Sequence, residues 1–342
     1  MNKPRLRLPA EWEQQAAILI AWPHKDTDWD YILDEVEECY MEVAEAITTN
    51  EDLIIVSPHI DLLKEKLSHL PQNRIHLYQM PTNDTWARDF GPISVISDGV
   101  PALYDFKFNA WGLKFAACHD NCINSNLFHQ GTFNCKLVNR LNFVLEGGSI
   151  ESDGHGTLLT TAECLLSPNR NGEFSKQDIE AYLSQQFGLS NIIWLNHGYL
   201  EGDDTDSHID TLARLCPNAT ILYVGCDNPG DSHFTELKLM EKELMQAVDA
   251  QGKHFRCIKL PFPDPIYDEN GLRLPATYAN FLVTNSQVLV PIYGQPDKDA
   301  KALKIIESVF TERKVIGIDC RPLIKQHGSL HCITMQLITG TI

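Results

Sequence analysis

The feature that most constrains the fold of this chain is a recurring pair of short strands joined by a tight turn. Strand-forming residues flank Asp98 and Gly99, then Asp153 and Gly154, and again the turn at residues 285–286. Asp-Gly turns match the twist of an antiparallel hairpin. Helical segments follow the hairpins at irregular intervals. The pattern predicts an α/β protein in which β-rich modules form a ring with helices outside it, rather than parallel βαβ units.

Apolar residues at three- and four-residue spacing locate the helices. The periodicity predicts helices over residues 29–48, 175–187 and 298–310, and a further helix that ends at Gly252. The segment "HCITMQLI" near the end of the chain predicts a final strand. No low-complexity tract or Pro/Ser-rich linker interrupts these elements. We therefore expect one domain over residues 1–342.

The composition excludes several classes of partner. The chain has 46 acidic and 28 basic residues and a formal net charge of −18, which disfavours nucleic acid and anionic membranes as partners. An acidic surface attracts small cations instead. The sequence contains no apolar run of membrane-spanning length and no secretory signal. Its 10 cysteines lack regular spacing, as in reduced proteins. These features predict a cytoplasmic protein and leave a homo-oligomer open.

Polar residues at the predicted strand ends mark two candidate site segments. "NDTWARDFGP" places Trp86 and the carboxylate of Asp89 before a Gly-Pro turn. The alternative is a loop in which the Asp caps neighbouring amides. "LEGGSIES" places Glu146 before two glycines, which allow another group to approach the backbone closely. The alternative here is an ordinary tight turn.

A third segment, "GDDTDSHID", contains a histidine two residues before an aspartate. On an extended strand the side chains of His208 and Asp210 would point to the same face. A neighbouring carboxylate stabilises a charged imidazole, which a general acid requires. Calcium is the alternative for the aspartates, namely Asp203, Asp204 and Asp206. The segment, however, lacks the central Gly and terminal Glu of an EF-hand loop.

The fourth segment is "HGSLHCIT", in which Cys332 is either a buried structural thiol or a nucleophile. A nucleophilic thiolate needs a cationic or hydrogen-bonding neighbour, which His208, His331 or a bound cation could provide. A papain-like hydrolase is excluded by the order and surroundings of these residues. A zinc site is the alternative interpretation of a separate cluster, which consists of Cys118, His119, Cys122, His129 and Cys135. Their spacing fits ordinary loop cysteines better.

Taken together, six blocks resemble, in order, the agmatine deiminase family, also called the porphyromonas-type peptidylarginine deiminases, among the guanidine-group-modifying enzymes. The blocks are "LPAEWEQQAAILIAWPH", "MPTNDTWARDFGP", "DFKFNAWG", "EGGSIESDGHGTLLTTAECLLSPNRN", "DDTDSHID" and "LHCIT". The resemblance implies a fivefold pseudosymmetric α/β propeller (pentein). It also implies hydrolysis of agmatine to N-carbamoylputrescine and ammonia through a covalent amidino-cysteine, without a metal or an organic cofactor.

The resemblance also assigns a role to each candidate residue. Asp89 and Asp210 would bind the guanidinium nitrogens, and Cys332 would attack the guanidinium carbon. His208 would transfer protons, and Glu146 would orient His208 and keep it charged. Trp86 would pack against the aliphatic part of the small cationic guanidino substrate.

The chain departs from the family pattern at two places, and both concern substrate choice. It has "QHGSLHC" where many members have "GGGNIHC", and "DSH" where they have "NGH". Agmatine carries a second positive charge, which Asp203 or Asp204 would receive. Free arginine and peptidylarginine remain alternatives as substrates. A propeller that binds guanidines without catalysis remains the alternative from outside the enzymes.

Overall fold

The computed structural model of the chain describes residues 6–342. The strands are β1 Leu6–Arg7, β2 Gln15–Ala21, β3 Asp52–Ser57, β4 Ile75–Gln79, β5 Ile93–Ser97, β6 Val100–Lys107, β7 Lys136–Val144, β8 Ile150–Ser152, β9 Thr157–Thr161, β10 Asn191–Leu195, β11 Ala213–Cys216, β12 Thr220–Val224, β13 Arg256–Leu260, β14 Leu282–Val283, β15 Gln287–Ile292, β16 Lys314–Asp319 and β17 Met335–Ile338. The helices are α1 Leu33–Thr48, α2 Ile60–Lys66, α3 Ala87–Phe90, α4 Ala110–Leu113, α5 Ile123–His129, α6 Ala162–Leu165, α7 Pro168–Asn171, α8 Lys176–Phe187, α9 Ile209–Leu212, α10 Phe234–Gln246, α11 Pro296–Val309 and α12 Arg321–Ile324.

The described strands form five separate small sheets. Their orders are β1-β5-β6-β7, β10-β9-β8, β11-β12-β13, β14-β15-β16 and β17-β2-β3-β4. Each sheet contains an antiparallel pair of strands. One strand of that pair also pairs in parallel with a later strand, and the chain between these two parallel strands contains a helix. In the second sheet, for example, β8 and β9 are antiparallel, and β9 pairs in parallel with β10 across α8. The fold is thus mixed α/β.

The predicted hairpins are confirmed, but the prediction that parallel units are lacking is wrong. β5 pairs antiparallel with β6, β8 with β9, and β14 with β15. Every sheet also contains a parallel pair, such as β12 with β13 or β15 with β16. A helix between two strands lets the chain return in the same direction, and this allows parallel pairing. The Asp-Gly signals revealed the hairpins and carried no information on the third strand.

Three of the predicted helices are confirmed and one is shorter than predicted. α1 follows a 3-10 turn at Asp30–Ile32, and α8 begins with a capping box between Ser175 and Asp178. α10 ends at Gln246 instead of reaching Gly252. The Asp249 carboxylate accepts bonds from the backbone N–H groups of Gln251 and Lys253, both at 2.9 Å. This side chain stabilises a turn where the periodicity predicted further helix.

Two strands from opposite ends of the described chain share one sheet. β17 pairs antiparallel with β2, so the turn that carries Cys332 packs against the N-terminal part of the protein. Both strands belong to the largest of the buried apolar clusters, in which Ile18, Leu19 and Leu337 are fully buried. None of the helices between residues 6 and 342 has the length and apolar composition that a membrane crossing requires.

Candidate active site

Three of the four sequence segments line one cavity of about 150 Å³, and Glu146 of the remaining segment lies next to His208. Trp86, Asp89, His208 and Cys332 line its wall. Asp210 and Glu146 are fully buried next to these residues, with 0% of their surfaces exposed. All six predicted site residues therefore lie within one region, although nearly 250 positions separate the first from the last in the sequence.

Each site residue lies in a short turn that leads into the first strand of a hairpin. Asp89 belongs to α3, which precedes β5. Glu146 precedes the 3-10 turn before β8, and His208 and Asp210 begin α9, which precedes β11. Cys332 lies in the turn before β17. The functional side chains thus occupy equivalent positions in four of the sheets.

Gly148 lies where the polar groups converge. A Cβ atom at this position would lie 2.7 Å from His208 Nδ1, 2.8 Å from Asp89 Oδ1 and 3.1 Å from Asp210 Oδ2. Side chains larger than hydrogen do not fit between them. The sequence predicts that the two glycines after Glu146 allow a close approach, and the structure confirms this at Gly148.

Asp89 is fixed by two donors but still lies in a strongly unfavourable environment for its charge. The indole Nε1 of Trp111 donates to its Oδ2 (2.9 Å), and the backbone N–H of Gly148 donates to its Oδ1 (3.0 Å). Burial, followed by the negative charge of Asp210, raises the pKa of Asp89 well above its usual range. A cation bound between the two carboxylates would reverse this effect.

Asp210 is held by His331. Its Oδ2 lies 2.7 Å from His331 Nδ1, while its Oδ1 has no hydrogen-bond partner among residues 6–342. Burial alone would raise the pKa of Asp210, but the hydrogen bond and charge of His331 outweigh it and lower the pKa. His331 Nε2 in turn lies 2.8 Å from Glu11 Oε1 and 3.1 Å from a guanidinium nitrogen of Arg214.

His208 is neutral, contrary to the expectation that Glu146 keeps it charged. Burial lowers the pKa of His208 to about 3, despite the nearby charge of Asp210. The Glu146 carboxylate is bound by Arg170, whose Nε lies 2.9 and 3.0 Å from its two oxygens. A carboxylate neutralised by a guanidinium stabilises an imidazolium less than a free carboxylate does. His208 Nδ1 lies 3.5 Å from Asp89 Oδ1, and its Nε2 has no partner among the described residues.

The thiol of Cys332 faces two oxygen acceptors. Its Sγ lies 3.4 Å from Asn280 Oδ1 and 3.8 Å from Asp210 Oδ2. Burial, followed by the charges of Asp210 and Asp89, raises the pKa of Cys332 well above its usual value. The thiol is therefore protonated at neutral pH unless a cation enters the site.

Two geometric expectations about these segments are wrong in their backbone detail. His208 and Asp210 do not lie on a strand, because His208 is the N-cap of α9 and Asp210 lies within that helix. His331 and Cys332 lie in a turn before β17 rather than in the predicted strand. Neighbouring residues on a strand would point to opposite faces, whereas in this turn both His331 and Cys332 contact Asp210.

Sequence reasoning missed three residues that shape the site. Asn280 Oδ1 accepts from the backbone N–H groups of His331 (2.9 Å) and Cys332 (3.3 Å), and thereby fixes the turn of the thiol. Asn280 precedes β14, the first strand of the remaining hairpin, so its position matches that of the other site residues. The hairpin pattern could have revealed it. Trp111 and Arg170 lie in blocks that resemble the family, but the sequence does not predict their contacts with the carboxylates of Asp89 and Glu146.

The competing ion sites are not supported by the contacts of their residues. Asp206 binds two cations, Lys114 at 2.7 Å and Arg170 at 2.5 Å, which would repel a calcium ion. The thiol of Cys122 donates to the backbone carbonyl of Cys118 (3.3 Å). Neither cysteine belongs to a group of three potential ligands among residues 6–342.

Comparisons with known proteins show the family of the chain. The sequence pattern of the Porphyromonas-type peptidyl-arginine deiminase family matches residues 7–337. A putative agmatine deiminase from Marinomonas sp. (strain MWYL1) is 34% identical over 360 residues, with 98% of this chain and 96% of the relative covered.

Two solved structures share the fold closely. A putative arginine deiminase from Porphyromonas gingivalis has a TM-score of 0.93 and 49% identity, covering 98% of this chain and 99% of its own. A Cys-to-Ser variant of C. jejuni agmatine deiminase with substrate bound has a TM-score of 0.92 and 36% identity, covering 98% and 97%. The match of the family pattern, the full-length relative and the shared fold together confirm the predicted family: the chain belongs to the Porphyromonas-type peptidyl-arginine deiminases.

Proposed function

We propose that this deiminase hydrolyses agmatine to N-carbamoylputrescine and ammonia. The observation that carries the proposal is the excess of carboxyl groups in the cavity wall, which a cationic substrate would ionise. Five aspartates line the cavity around the thiol, namely Asp28, Asp84, Asp89, Asp203 and Asp204, and no Lys or Arg among the described residues does so. Such a wall favours a substrate with positive charge at both ends. The relatives named agmatine deiminases support the same choice.

In the proposed mechanism, Asp89 and Asp210 bind the guanidinium by charge-assisted hydrogen bonds. The unpartnered Oδ1 of Asp210 would accept a guanidinium N–H. The positive charge then lies next to Cys332 and lowers the pKa of its thiol, because an opposite charge favours the ionised form. Trp86, which is 6% exposed, packs against Trp29 with ring centroids 5.6 Å apart and would contact the aliphatic chain.

The protonation states of the two reacting groups define the proton path. Cys332 begins as a thiol and His208 as a neutral imidazole, so the thiol proton passes to His208 as Sγ attacks the guanidinium carbon. His208 then gives this proton to the departing nitrogen, and the C–N bond breaks to release ammonia. A water molecule attacks the amidino-cysteine, and His208 accepts one of its protons. The C–S bond breaks and His208 returns this proton to the departing sulfur, which restores the thiol, while the remaining hydroxyl proton passes to the released ammonia as the ureido product forms.

Glu146 would position the groups around His208 and would not itself donate or accept a proton in the reaction. It is bound by Arg170, and its carboxylate lies within 4.8 Å of a ring nitrogen of His208. We infer that the Glu146–Arg170 pair fixes the shape of the pocket around the imidazole. The further inference that no metal or organic cofactor takes part rests on the side chains at hand, since they account for every proton and charge in the scheme.

Asp204 is the better of the two predicted partners for the distal amine. Both oxygens of Asp203 are occupied, because Thr205 Oγ1 donates to Oδ1 (2.6 Å) and the backbone N–H of Ser207 donates to Oδ2 (2.7 Å). Asp203 therefore stabilises the loop before His208. Burial raises the pKa of Asp204, while the positive charge of His327 opposes that effect. An ammonium group next to Asp204 would favour its ionised form.

Several predictions about fold, domain organisation, location and partners extend the proposal. We infer that the five sheets are the blades of a fivefold pseudosymmetric propeller (pentein), because each has the same hairpin, helix and parallel strand. We also propose a single domain over residues 1–342. The acidic composition supports an enzyme without nucleic-acid or membrane partners, and the irregularly spaced cysteines support a cytoplasmic location. The proposal leaves a homo-oligomer open.

The test compares kcat/KM for agmatine, free arginine and a blocked arginyl peptide. Free arginine would bring its carboxylate toward the aspartates of the wall, so we expect agmatine to exceed it by about two to three powers of ten, the value of one buried charge pair. Asp204→Asn should reduce this preference. Asp227 is 68% exposed and is not among the lining residues of the cavity, so Asp227→Asn should leave the preference unchanged. Equal or better turnover of arginine or the peptide would contradict agmatine as the substrate.

A further inference from the structure

A second cluster of potential ligands lies on the surface, formed by His24, Asp26 and His59. One ligand atom from each lies within 4.8 Å of the others. Asp26 Oδ2 is 4.0 Å from His24 Nδ1 and 3.8 Å from His59 Nε2. The proposed reaction uses none of these side chains. We propose that this triad, hereafter the His24 triad, binds a divalent transition metal of the zinc type.

The two histidines already have the orientation that a metal needs. His24 Nε2 lies 3.0 Å from Thr82 Oγ1, and His24 Nδ1 accepts only a long bond from the backbone N–H of Asp26 (3.3 Å). This pattern places the proton on Nε2 and leaves the lone pair of Nδ1 on the side of Asp26, where a metal ion would replace this long bond. A hydrogen bond from the second ring nitrogen typically orients a metal-binding histidine.

His59 directs an unused nitrogen at the same point. Its Nε2 is buried and has no hydrogen-bond partner among the described residues. The two imidazole rings pack edge to face with centroids 5.8 Å apart. Buried polar atoms normally have a partner. A metal ion between the rings and Asp26 would provide one.

Metal binding requires the three ligand atoms of the His24 triad to move closer together. Ligand atoms on a tetrahedral zinc, at about 2.0–2.1 Å from the metal, lie about 3.3 Å apart. The side chains of Asp26 and His59 are 68% and 40% exposed, so both can move by the difference. The same exposure leaves the fourth coordination position to water. Two imidazoles and one carboxylate suit Zn²⁺ and Co²⁺, whereas Ca²⁺ and Mg²⁺ prefer oxygen ligands.

The surroundings distinguish the His24 triad from the two buried groups of potential ligands. Arg170 binds Glu146 in one of those groups, and Arg214 binds Glu11 and Glu151 in the other. A fixed guanidinium repels a divalent cation. The His24 triad has no ion pair or hydrogen bond with a Lys or Arg in the described part of the chain.

The experiment titrates the chelator-treated full-length protein with Co²⁺ and then with Zn²⁺ against a chromophoric chelator. We expect one ion per chain, with a visible Co²⁺ spectrum that lacks thiolate-to-metal charge transfer. His59→Ala should weaken Zn²⁺ binding at least tenfold, and Asp26→Asn should also weaken it. Agmatine turnover should be unchanged in His59→Ala, so this result is independent of the proposed function.

Two controls isolate the His24 triad. His69→Ala removes another surface histidine, which lies 3.2 Å from Glu45, and should bind Zn²⁺ as the wild type does. Cys332→Ser removes the thiol of the active site and should also retain binding. Equal affinity in His59→Ala and the wild type would overturn the proposal. Loss of binding in Cys332→Ser, or a thiolate band in the Co²⁺ spectrum, would do the same.

Discussion

At the residue scale, the environment of Cys332 favours the protonated thiol. The side chain is buried between Asn280 and Asp210, and no Lys or Arg among the described residues contacts its sulfur. Cysteine nucleophiles are usually activated by a neighbouring cation. Here the cation would be the substrate itself, so activation and binding occur together. This coupling would protect the thiol from reaction with other compounds when no guanidine is present.

Replacement of the thiol tests the assignment of the nucleophile. Cys332→Ser should abolish ammonia release from agmatine, with a loss of at least about a thousandfold, because the hydroxyl is a much weaker nucleophile. The far-UV spectrum and the melting temperature should stay close to wild type. Cys118→Ser, which alters an exposed thiol, is the matched control and should be fully active. Substantial turnover by Cys332→Ser would show that the nucleophile lies elsewhere.

The raised pKa of Cys332 predicts how the free enzyme reacts with an alkylating agent. Because the thiol pKa lies well above its usual value, the thiolate fraction should rise about tenfold per pH unit throughout the range from pH 7 to 9. The measurement is the rate at which neutral iodoacetamide modifies Cys332, located by mass spectrometry of peptides. A plateau below pH 8 would indicate a thiolate that the protein itself stabilises.

His331 should affect activity through Asp210 rather than through the substrate. It lowers the pKa of Asp210, and only the ionised carboxylate can bind a guanidinium. In His331→Ala this support is lost, the folded-state pKa of Asp210 rises, and the acid limb of the kcat/KM profile should move to higher pH. His331→Gln keeps a donor and should move the limb less. An unchanged limb in His331→Ala would contradict this role, whereas His208→Ala should be nearly inactive at every pH.

At the scale of secondary structure, the site is built from turns that precede the hairpins. The hairpins and long helices follow local rules of turn chemistry and periodicity, so the sequence predicts them. The turns follow tertiary contacts. In the turn of Cys332, for example, the backbone N–H groups of His331 and Cys332 are bound by Asn280, about 50 residues away in the sequence. Such contacts have no local signature.

Glu51 connects two of these elements and should make stability depend on pH. It lies just after α1, and its carboxylate accepts from the backbone N–H of Asn285, in the turn between β14 and β15. Burial raises its pKa to about 7. A carboxyl group whose pKa is raised in the folded state stabilises the protein below its unfolded pKa. That contribution falls as pH rises to about 7 and is at most roughly 3 kcal/mol.

Glu51→Gln tests this contribution because the amide does not titrate. The free energy of unfolding, measured with urea at pH 5 and pH 8, should fall less with rising pH in the variant than in the wild type. Glu45→Gln changes an exposed glutamate and should keep the wild-type dependence. Parallel pH dependences in Glu51→Gln and the wild type would show that Glu51 does not titrate in this range.

At the scale of the whole molecule, the net charge of −18 should assist substrate capture. A negative protein concentrates a cationic substrate near its surface, and salt screens this effect over a Debye length of about 8 Å at physiological ionic strength. We therefore expect kcat/KM for agmatine to fall several-fold between about 10 and 300 mM KCl, while kcat stays constant. A kcat/KM independent of salt would show that the overall charge has no part in binding.

The sequence by itself determined the hairpins, three of the long helices, the family and six of the residues that lie in or next to the cavity wall. These features depend on local turn chemistry, on periodicity and on blocks of residues that keep their order along the chain. Only the tertiary structure decided the parallel third strand of each sheet, the neutral state of His208 and the pairing of Glu146 with Arg170. Burial and contacts between distant segments set these properties, because a pKa depends on every charge packed around a group and not on its neighbours in sequence.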